Sequence, residues 1–340
     1  MRDCYIHSAV SISAQNTFSN EDFLLDVIKY NAKKIQAVYP NYKDFISPVV
    51  TRRMQTGVKM GVVAANKALQ IAKLNEPDAI ITGTGMGCIT DTEKFLNSII
   101  DNDETYLTPT SFIQSTHNTV GAQIALGLKC NNYNNTYTHG SLSFESALID
   151  AQLLLQEQEA RHVLVGGIDE LGTEFVDYVQ MIEANKSKGI GVPFSEGATF
   201  TVLSSEKKEN AIKLQDIITI SEASKEELIL KLEDFLALNN MDVKAIDAII
   251  LGDNGDMYDD YYEHITISLF SNASQIKYKH LSGEFHTASA FAFWLGINVL
   301  QKQHIPAEVL KNSGENKSIK TLLLYNQCKG KDHSFILLKT

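Results

Sequence analysis

The chain has 340 residues, a net charge of −11 and 44% hydrophobic residues. This composition is typical of a globular protein with enough apolar residues for one large α/β unit or two fused smaller ones. The acidic balance and the lack of a Lys/Arg-rich block argue against a nucleic-acid partner.

The four cysteines are scattered through the chain, at Cys4, Cys88, Cys130 and Cys328. None belongs to a CxxC or Cys/His cluster with the spacing of zinc ligands, so we expect reduced thiols and no metal site. The first residues lack a basic segment followed by an apolar one, and no apolar run is long enough to span a membrane. We therefore expect a cytoplasmic protein without a membrane partner.

Apolar periodicity predicts the elements of the first 130 residues. Alternation predicts a strand over Cys4–Ser13, and helical spacing predicts helices over Asn20–Val38, Arg52–Leu74 and Thr90–Ile100. The short apolar strand Asp78–Thr82 leads into a glycine-rich turn, Gly83–Cys88. This turn lacks the third glycine of a dinucleotide fingerprint, so we interpret it as a tight crossing from strand to helix. Pro109–Leu128 carries small residues that suit close helix packing.

The stretch Asn131–Leu155 has the layout of a site that presents one side chain at the start of a helix. An extended run over Tyr133–Thr138 stops at His139 and a glycine, and an apolar helix follows. Backbone N–H groups and the helix dipole at such a turn favour a thiolate or an oxyanion. The residue at this position is His139 rather than a usual nucleophile.

Three features of the first half recur in the same order in the second half. Asp78-Ala-Ile-Ile-Thr-Gly83 recurs as Asp247-Ala-Ile-Ile-Leu-Gly252. The turn at His139 has a counterpart in Leu281–Glu284. The predicted antiparallel strand pair His162–Gly167 and Phe200–Ser205 has one in Thr321–Asn326 and Ser334–Thr340. We therefore predict two similar α/β halves with mixed sheets, spanning residues 1–208 and 209–340.

Several segments, in chain order, resemble motifs of the β-ketoacyl-acyl carrier protein synthases, the ketosynthases of the thiolase fold. These segments are the helix that contains Arg52-Arg-Met54, the Asp78–Gly87 strand and turn, Gly127–His139 with its Asn132 and Tyr133, Pro193-Phe194, and Glu196–Ala198. The resemblance implies a thiolase-like fold with α-β-α-β-α layers. Acyl and malonyl groups would arrive on the phosphopantetheine of an acyl carrier protein, without a cofactor of the chain's own.

The family's chemistry uses one cysteine as acyl carrier and two histidines that stabilise the enolate formed by decarboxylation. The resemblance assigns the cysteine position to His139 and the histidine positions to Asn254 and Glu284, and it retains Lys279. An imidazole cannot replace the cysteine as acyl carrier, because an acyl-imidazole hydrolyses readily, and a carboxylate repels an enolate. The chain therefore resembles the non-catalytic chain length factors, and most of all the ketosynthase-like subunits of aryl polyene and flexirubin clusters.

This resemblance predicts a subunit that pairs with an active ketosynthase, or with a second copy of itself, in type II fatty acid or polyketide biosynthesis. Candidate substrate or interface residues are Phe112, His117, Asn118 and Thr138. His117 stays open between a partner contact and a core histidine. The alternative function is an acyltransferase or malonyl decarboxylase in which His139 is the base. His139 could equally fill space at a turn that performs no chemistry.

Three further patterns suggest chemistry but have simpler interpretations. A Glu284–His286–His139 constellation is disfavoured, because residues at i and i+2 point to different sides of a helix. The aromatic residues of Phe285–Leu300 are expected in the core. The acidic run Asp256–Glu263 lacks the spacing of an EF-hand loop and is expected to form a solvated loop or helix start.

Overall fold

The structure is a computed structural model. It describes residues 3–19, 23–52, 54–105, 107, 109–315 and 318–340.

Eleven strands within these residues form one hydrogen-bonded sheet. In chain order they are β1 Cys4–Ile12, β2 Ala79–Gly83, β3 Tyr133–Tyr137, β4 His162–Asp169, β5 Gly197–Ser204, β6 Ile212–Ser221, β7 Ala248–Leu251, β8 Ser274–Lys277, β9 Leu310–Asn312, β10 Thr321–Cys328 and β11 Asp332–Lys339. The order across the sheet is 3-2-4-5-1-6-11-10-7-8-9. The buried strand β4 is antiparallel to β5, as the sequence predicts.

The strand pairing outward from the central pair β1 and β6 is the same on both sides for five strands, and β9 adds a sixth strand next to β8. On one side β1, β5 and β4 are antiparallel neighbours, and β4, β2 and β3 are parallel neighbours. On the other side β6, β11 and β10 are antiparallel, and β10, β7 and β8 are parallel. The division at residue 208 stays a prediction; it falls in the link between β5 and β6.

Helices cover both faces of this sheet. They are α1 Pro48–Thr51, α2 Thr56–Ala72, α3 Ile89–Asp101, α4 Pro109–Ser115, α5 Thr119–Leu128, α6 Ser143–Gln156, α7 Thr173–Glu183, α8 Lys225–Leu238, α9 Asp260–Leu269, α10 Lys279–Ser282 and α11 Ala288–Lys302. Single 3₁₀ turns lie at Tyr42–Asp44, Gly140–Leu142, Val243–Ala245 and Met257–Asp259. No helix in the described part of the chain is both long and apolar enough to cross a membrane.

Among the described residues the core consists of three clusters. Residues of one strand enter different clusters because side chains alternate between the two faces of a sheet. In β2, Ile81 joins the central cluster with α6 and α11, whereas Ile80 joins an outer cluster with α2 and α5. In β10, Leu324 faces the central cluster and Leu323 faces a second outer cluster with α8 and α9. The two halves of the sheet therefore form two β layers, with α6 and α11 packed between them and the other helices outside. The arrangement of layers is α-β-α-β-α.

Helix α11 is apolar all round because it lies in this middle layer. Its aromatic residues Phe291, Phe293 and Trp294 are at most 1% exposed. Their predicted assignment to the core is confirmed.

The recurring aspartates Asp78 and Asp247 make the same contacts in both halves of the sheet. The Asp78 carboxylate accepts hydrogen bonds from the backbone N–H groups of Arg161 and His162, where β4 begins. The Asp247 carboxylate accepts them from Lys320 and Thr321, where β10 begins. The sequence repeat therefore corresponds to a repeated strand-to-strand link.

Two predicted helices differ from the structure. The helix over Asn20–Val38 is wrong: residues 23–38 form turns and extended segments, and Asn20 lies outside the described residues. Its backbone instead bonds to distant segments, because Ile28 N–H donates to the Gln15 side chain and Ile35 N–H donates to Phe194. The helix predicted over Arg52–Leu74 begins only at Thr56 and ends at Ala72, and Arg53 lies outside the described residues.

Candidate functional site

The turn that contains His139 lies where β3 meets the middle layer. His139 is the residue before the 3₁₀ turn Gly140–Leu142, and Gly140 has a φ of +53°, which favours glycine. Ser143 Oγ accepts a hydrogen bond from the His139 N–H at 2.8 Å and donates one to the backbone carbonyl of Thr84 at 3.0 Å. The backbones approach so closely that a Cβ on Gly83 would lie 2.4 Å from Ser143 O. The strand-to-helix turn is therefore packed directly on the glycine turn that follows β2.

The imidazole of His139 points outward from this turn. The residue is exposed, and its Nδ1 lies 3.3 Å from the Oγ of Ser146, in the first turn of α6. It does not line the cavity described below.

The C-terminal part of the site is built on three adjacent extended segments. Phe194 exchanges backbone hydrogen bonds with residues 33–35, and residues 193 and 195 bond to Glu284. Gly283, with a φ of +75°, must be glycine, because a Cβ there would lie 2.3 Å from Ser195 Cβ. The backbone position of Glu284 is therefore fixed from both sides.

The side chains of Lys279, Glu284 and Asn254 form one buried polar cluster. The Lys279 ammonium, only 4% exposed, lies 3.1 Å from Glu284 Oε1 and 3.0 Å from Glu284 Oε2. Asn254 Nδ2 donates to Glu284 Oε2 at 3.0 Å. Burial raises the pKa of neighbouring Asp256, and the Glu284 carboxylate raises it further. The cluster therefore holds one cation against two closely spaced carboxyl groups.

A single buried carboxylate, Asp169, connects the glycine turn to the start of α11. Its Oδ1 accepts hydrogen bonds from Thr84 Oγ1 and from the N–H groups of Gly85 and Met86. Its Oδ2 accepts them from the N–H and the hydroxyl of Thr287. This clamp presses His286 onto the glycine turn, since a Cβ on Gly85 would lie 2.3 Å from His286 Cβ.

The adjacent carboxylate Glu170 holds the first turns of two helices. Its Oε1 accepts the N–H of Gly57 in α2 and its Oε2 accepts the N–H of Thr90 in α3. A negative group at a helix N-terminus satisfies free N–H groups and interacts favourably with the helix dipole. Asp169 and Glu170 together therefore fix the elements that surround the site.

These elements enclose a cavity of about 200 Å³. Its polar wall includes Ser141, Asp169, Asn254, Asp256, Lys279, Glu284, His286 and Asn326. Its apolar wall includes Phe175, Val176, Val179, Ile190, Phe194, Phe285 and Ala288. The cavity lies at the C-terminal ends of parallel strands, which is a usual place for a ligand site in α/β folds.

The structure brings together only some of the residues that the sequence singles out. Asn254, Glu284 and Lys279 meet in the cavity. His139 lies outside it, and Thr138, Phe112, His117 and Asn118 are exposed on the surface. Exposure excludes the core interpretation of His117 in this chain. Glu284 bonds to Lys279 and Asn254, so the Glu284–His286–His139 constellation is not formed.

The acidic run Asp256–Glu263 forms a turn and a helix start, as expected. Asp256 accepts the N–H of Tyr258, and Asp259 accepts the N–H groups of Asn254 and Gly255. Burial raises the pKa of Asp259, although these two N–H donors lower it. The carboxylates thus hold the loop that carries Asn254.

Sequence reasoning missed Asp169, Glu170 and Ser141 as residues of this site. Asp169 is the last residue of the buried strand β4 and Glu170 follows it, at the same edge of the sheet as the glycine turn. Their position at the end of a predicted buried strand was the available signal. Ser141 stands only two residues after His139, but the spacing does not reveal which residue of the turn faces inward.

The family model described as "Beta-ketoacyl synthase, N-terminal domain" matches residues 29–236, more than half of the chain. The chain belongs to the β-ketoacyl synthase family. No curated protein sequence matches it significantly.

Three solved structures share the fold of this family member over its whole length. A chain of the ishigamide ketosynthase/chain length factor has a TM-score of 0.82 at 15% identity, with 100% of this chain and 99% of that chain covered. A chain of AntDE:AntF, a type II PKS acyl-carrier protein in complex with its ketosynthase bound to the hexaketide, has a TM-score of 0.78 at 15% identity and 100% coverage of both. A chain of the ketosynthase ApeO in complex with its chain length factor ApeC, from Xenorhabdus doucetiae, has a TM-score of 0.74 at 14% identity, with 100% and 98% covered. The predicted thiolase-like fold is confirmed.

Proposed function

We propose that this β-ketoacyl synthase family member is a chain-length-factor-type subunit that does not catalyse condensation and pairs with an active ketosynthase. The observation that carries this proposal is the clamped carboxylate of Glu284. The family has a histidine at that position, and here both carboxylate oxygens are engaged by Lys279 while Asn254 donates to one of them.

The charges of the cavity oppose the family's decarboxylation chemistry. An enolate or a malonyl carboxylate in this cavity would meet the carboxyl groups of Glu284 and Asp256, which repel it in a partly buried site. The amide of Asn254 is already engaged with Glu284, so it is not free to stabilise an oxyanion. At the positions that the family uses, the chain therefore has neither the cysteine that carries the acyl group nor the two histidines.

The pairing face that we propose is the outer edge of β3. This strand lies at the end of the sheet, and an edge strand offers free N–H and C=O groups to another chain. Exposed apolar side chains occur on α5, which packs against β3, and on α4, which packs against α5. Leu126 on α5 is 71% exposed, and Phe112 and Ile113 on α4 are 56% and 63% exposed. Exposed apolar groups next to an open sheet edge favour a protein partner.

The relatives support the wider setting of the proposal. One pairs a ketosynthase with a chain length factor and another joins a ketosynthase to an acyl carrier protein. By analogy, we propose that this chain acts in the cytoplasm with a ketosynthase and an acyl carrier protein, in type II polyketide or fatty acid biosynthesis of the aryl polyene kind. It would need no cofactor, because the acyl groups arrive on the carrier protein's phosphopantetheine. A homodimer is the alternative assembly.

Copurification with an activity assay tests the proposal. The chain, tagged, is expressed alone and with a ketosynthase that retains its cysteine and two histidines, and malonyl-dependent condensation is measured. We expect a one-to-one complex in which activity appears only when both chains are present and survives His139→Ala. Condensation by this chain alone, or failure to bind such a ketosynthase, would contradict the proposal.

The alternative that His139 acts as a base in acyl transfer or malonyl decarboxylation has less support. Its imidazole is exposed and directed away from the cavity. If His139→Ala abolished carbon dioxide release from malonyl carrier protein, this alternative would replace the one above.

A further inference from the structure

We propose that Ser141 and His286 form a serine–histidine pair that hydrolyses uncharged acyl thioesters in the cavity. This activity is separate from condensation and does not depend on pairing with a ketosynthase. Both residues line the cavity. The family's cysteine position lies two residues before Ser141 and contributes nothing to the cavity wall.

Ser141 has the surroundings of a nucleophile. It lies in the 3₁₀ turn that leads into α6, a helix of 14 residues. The N–H groups of Gly140 and Ser141 have no hydrogen-bond acceptor among the residues that the structure describes. Free backbone N–H groups beside a serine hydroxyl are the donors that stabilise the oxyanion of an acyl-transfer intermediate.

His286 is held opposite this turn by the backbone on either side of it. Thr287 is clamped to Asp169, and Asp169 also binds Gly85, so His286 has one fixed place on the glycine turn. Its Cδ2 lies 4.0 Å from the position of a Cβ on Gly140, the residue next to Ser141. The two side chains share no direct hydrogen bond, but catalytic hydrogen bonds often tighten only when substrate binds.

The cavity walls indicate the substrate class. Phe175, Val176 and Ile190 form an apolar surface for an acyl chain in a cavity of about 200 Å³. That volume suits a short chain. The carboxyl groups of Glu284 and Asp256 also line this cavity, and they disfavour malonyl and other acidic acyl groups.

The reaction follows the usual two steps of acyl transfer. Ser141 Oγ attacks the thioester carbonyl and forms a C–O bond, while the His286 imidazole takes the hydroxyl proton. The C–S bond then breaks, and the imidazolium returns the proton to the leaving thiolate to give a free thiol. Water, activated by the same imidazole, attacks the acyl-serine ester, releasing the carboxylic acid and restoring the serine hydroxyl.

Thiol release from butyryl-N-acetylcysteamine by the purified full chain tests this assignment. We expect turnover above the buffer background, a loss of about 100-fold or more in Ser141→Ala and in His286→Gln, and at least tenfold slower release from malonyl-N-acetylcysteamine. The exposed residues Ser271 and His304 provide matched controls, so Ser271→Ala and His304→Gln should keep the wild-type rate. Circular dichroism of each variant checks that it is folded.

Two results would overturn the assignment. One is a wild-type rate no higher than that of Ser141→Ala, and the other is a loss on changing His139 but not His286. Mass spectrometry of the peptide that contains Ser141 should also show an acyl adduct after brief exposure to substrate. These outcomes are distinct from those of the pairing test, since hydrolysis is measured on this chain without a ketosynthase.

Discussion

Substitution of Glu284, which forms a buried ion pair with Lys279, should strongly lower the stability of the protein. In the structure both carboxylate oxygens of Glu284 lie within 3.1 Å of the Lys279 ammonium, and Lys279 is only 4% exposed. Glu284→Gln removes this carboxylate and leaves the buried ammonium without its partner. Breaking a buried pair by removing one partner costs about 3–5 kcal/mol. Because Asp256 supplies a second carboxyl group nearby, we expect the lower end, about 3 kcal/mol.

A double-mutant cycle measures this coupling. Lys279→Met alone should destabilise as well, but adding it to Glu284→Gln should restore part of the loss, because no unpaired charge is then buried. Urea unfolding followed by the fluorescence of Trp294, the single and buried tryptophan, reports the free energy of unfolding. The exposed pair Lys225 and Asp260, with side chains 31% and 52% exposed, is the matched control and should couple by at most about 1 kcal/mol.

The outcome that would refute this reasoning is additivity. If Glu284→Gln costs less than about 1 kcal/mol and its effect simply adds to that of Lys279→Met, the two groups are not a coupled buried pair. The ion pair of Glu284 and Lys279 would then not be what stabilises the polar side of the cavity.

Three further predictions concern the pairing face, the helix starts and the buried carboxyl group of Glu145. Replacing Phe112 and Ile113 by Asp should lower recovery of the ketosynthase complex at least tenfold in copurification, whereas Leu230→Asp, at a 61% exposed position on α8, should not; equal recovery would contradict the pairing face. Glu170→Ala should cost about 2 kcal/mol in urea unfolding, because two helix N-termini lose their acceptor, and a loss under about 0.5 kcal/mol would show that water replaces it. Burial raises the pKa of Glu145 above its ordinary 4.5, so the folded state holds this proton more tightly than the unfolded state and stability falls as pH rises above 4.5. Stability measured from pH 4 to 8 should therefore fall less in Glu145→Gln than in the wild type, and parallel curves would contradict the assignment.

Where hydrogen bonds are local or strand neighbours repeat, the sequence predicted the fold well. Apolar runs gave the strands β2 and β4, and the recurring Asp-Ala-Ile-Ile pattern correctly pointed to repeated strand links. The motif spacing also brought Lys279 and Glu284 together, because five residues and one positive-φ glycine fix their relative positions. The strands and the Lys279–Glu284 pair depend on residues close in sequence. The strand links do not, since Asp78 and Arg161 are 83 residues apart, and the sequence indicated them only because the motif occurs twice.

The predicted helix over Asn20–Val38 shows where periodicity is insufficient. Phe23 and Leu24 are buried as a helical face would require, but the chain there is bound by Gln15 and Phe194 instead of by its own backbone. Apolar spacing records which side chains are buried. It does not show whether the backbone forms hydrogen bonds within a helix or with segments that are distant in sequence.

The sequence by itself indicated the α/β class and the turn at the start of α6, and its resemblance to the ketosynthases pointed to His139, Asn254 and Glu284. Only the tertiary structure decided that His139 faces outward, that Ser141 and His286 share the cavity, and that Asp169 connects the site. The reason is physical: Asp169 and Thr287 are 118 residues apart, and their hydrogen bond exists only once the two halves of the sheet have packed around α6 and α11. The direction of a side chain at the turn before α6 likewise depends on which segments pack against that turn, and the spacing of residues in the sequence does not show this.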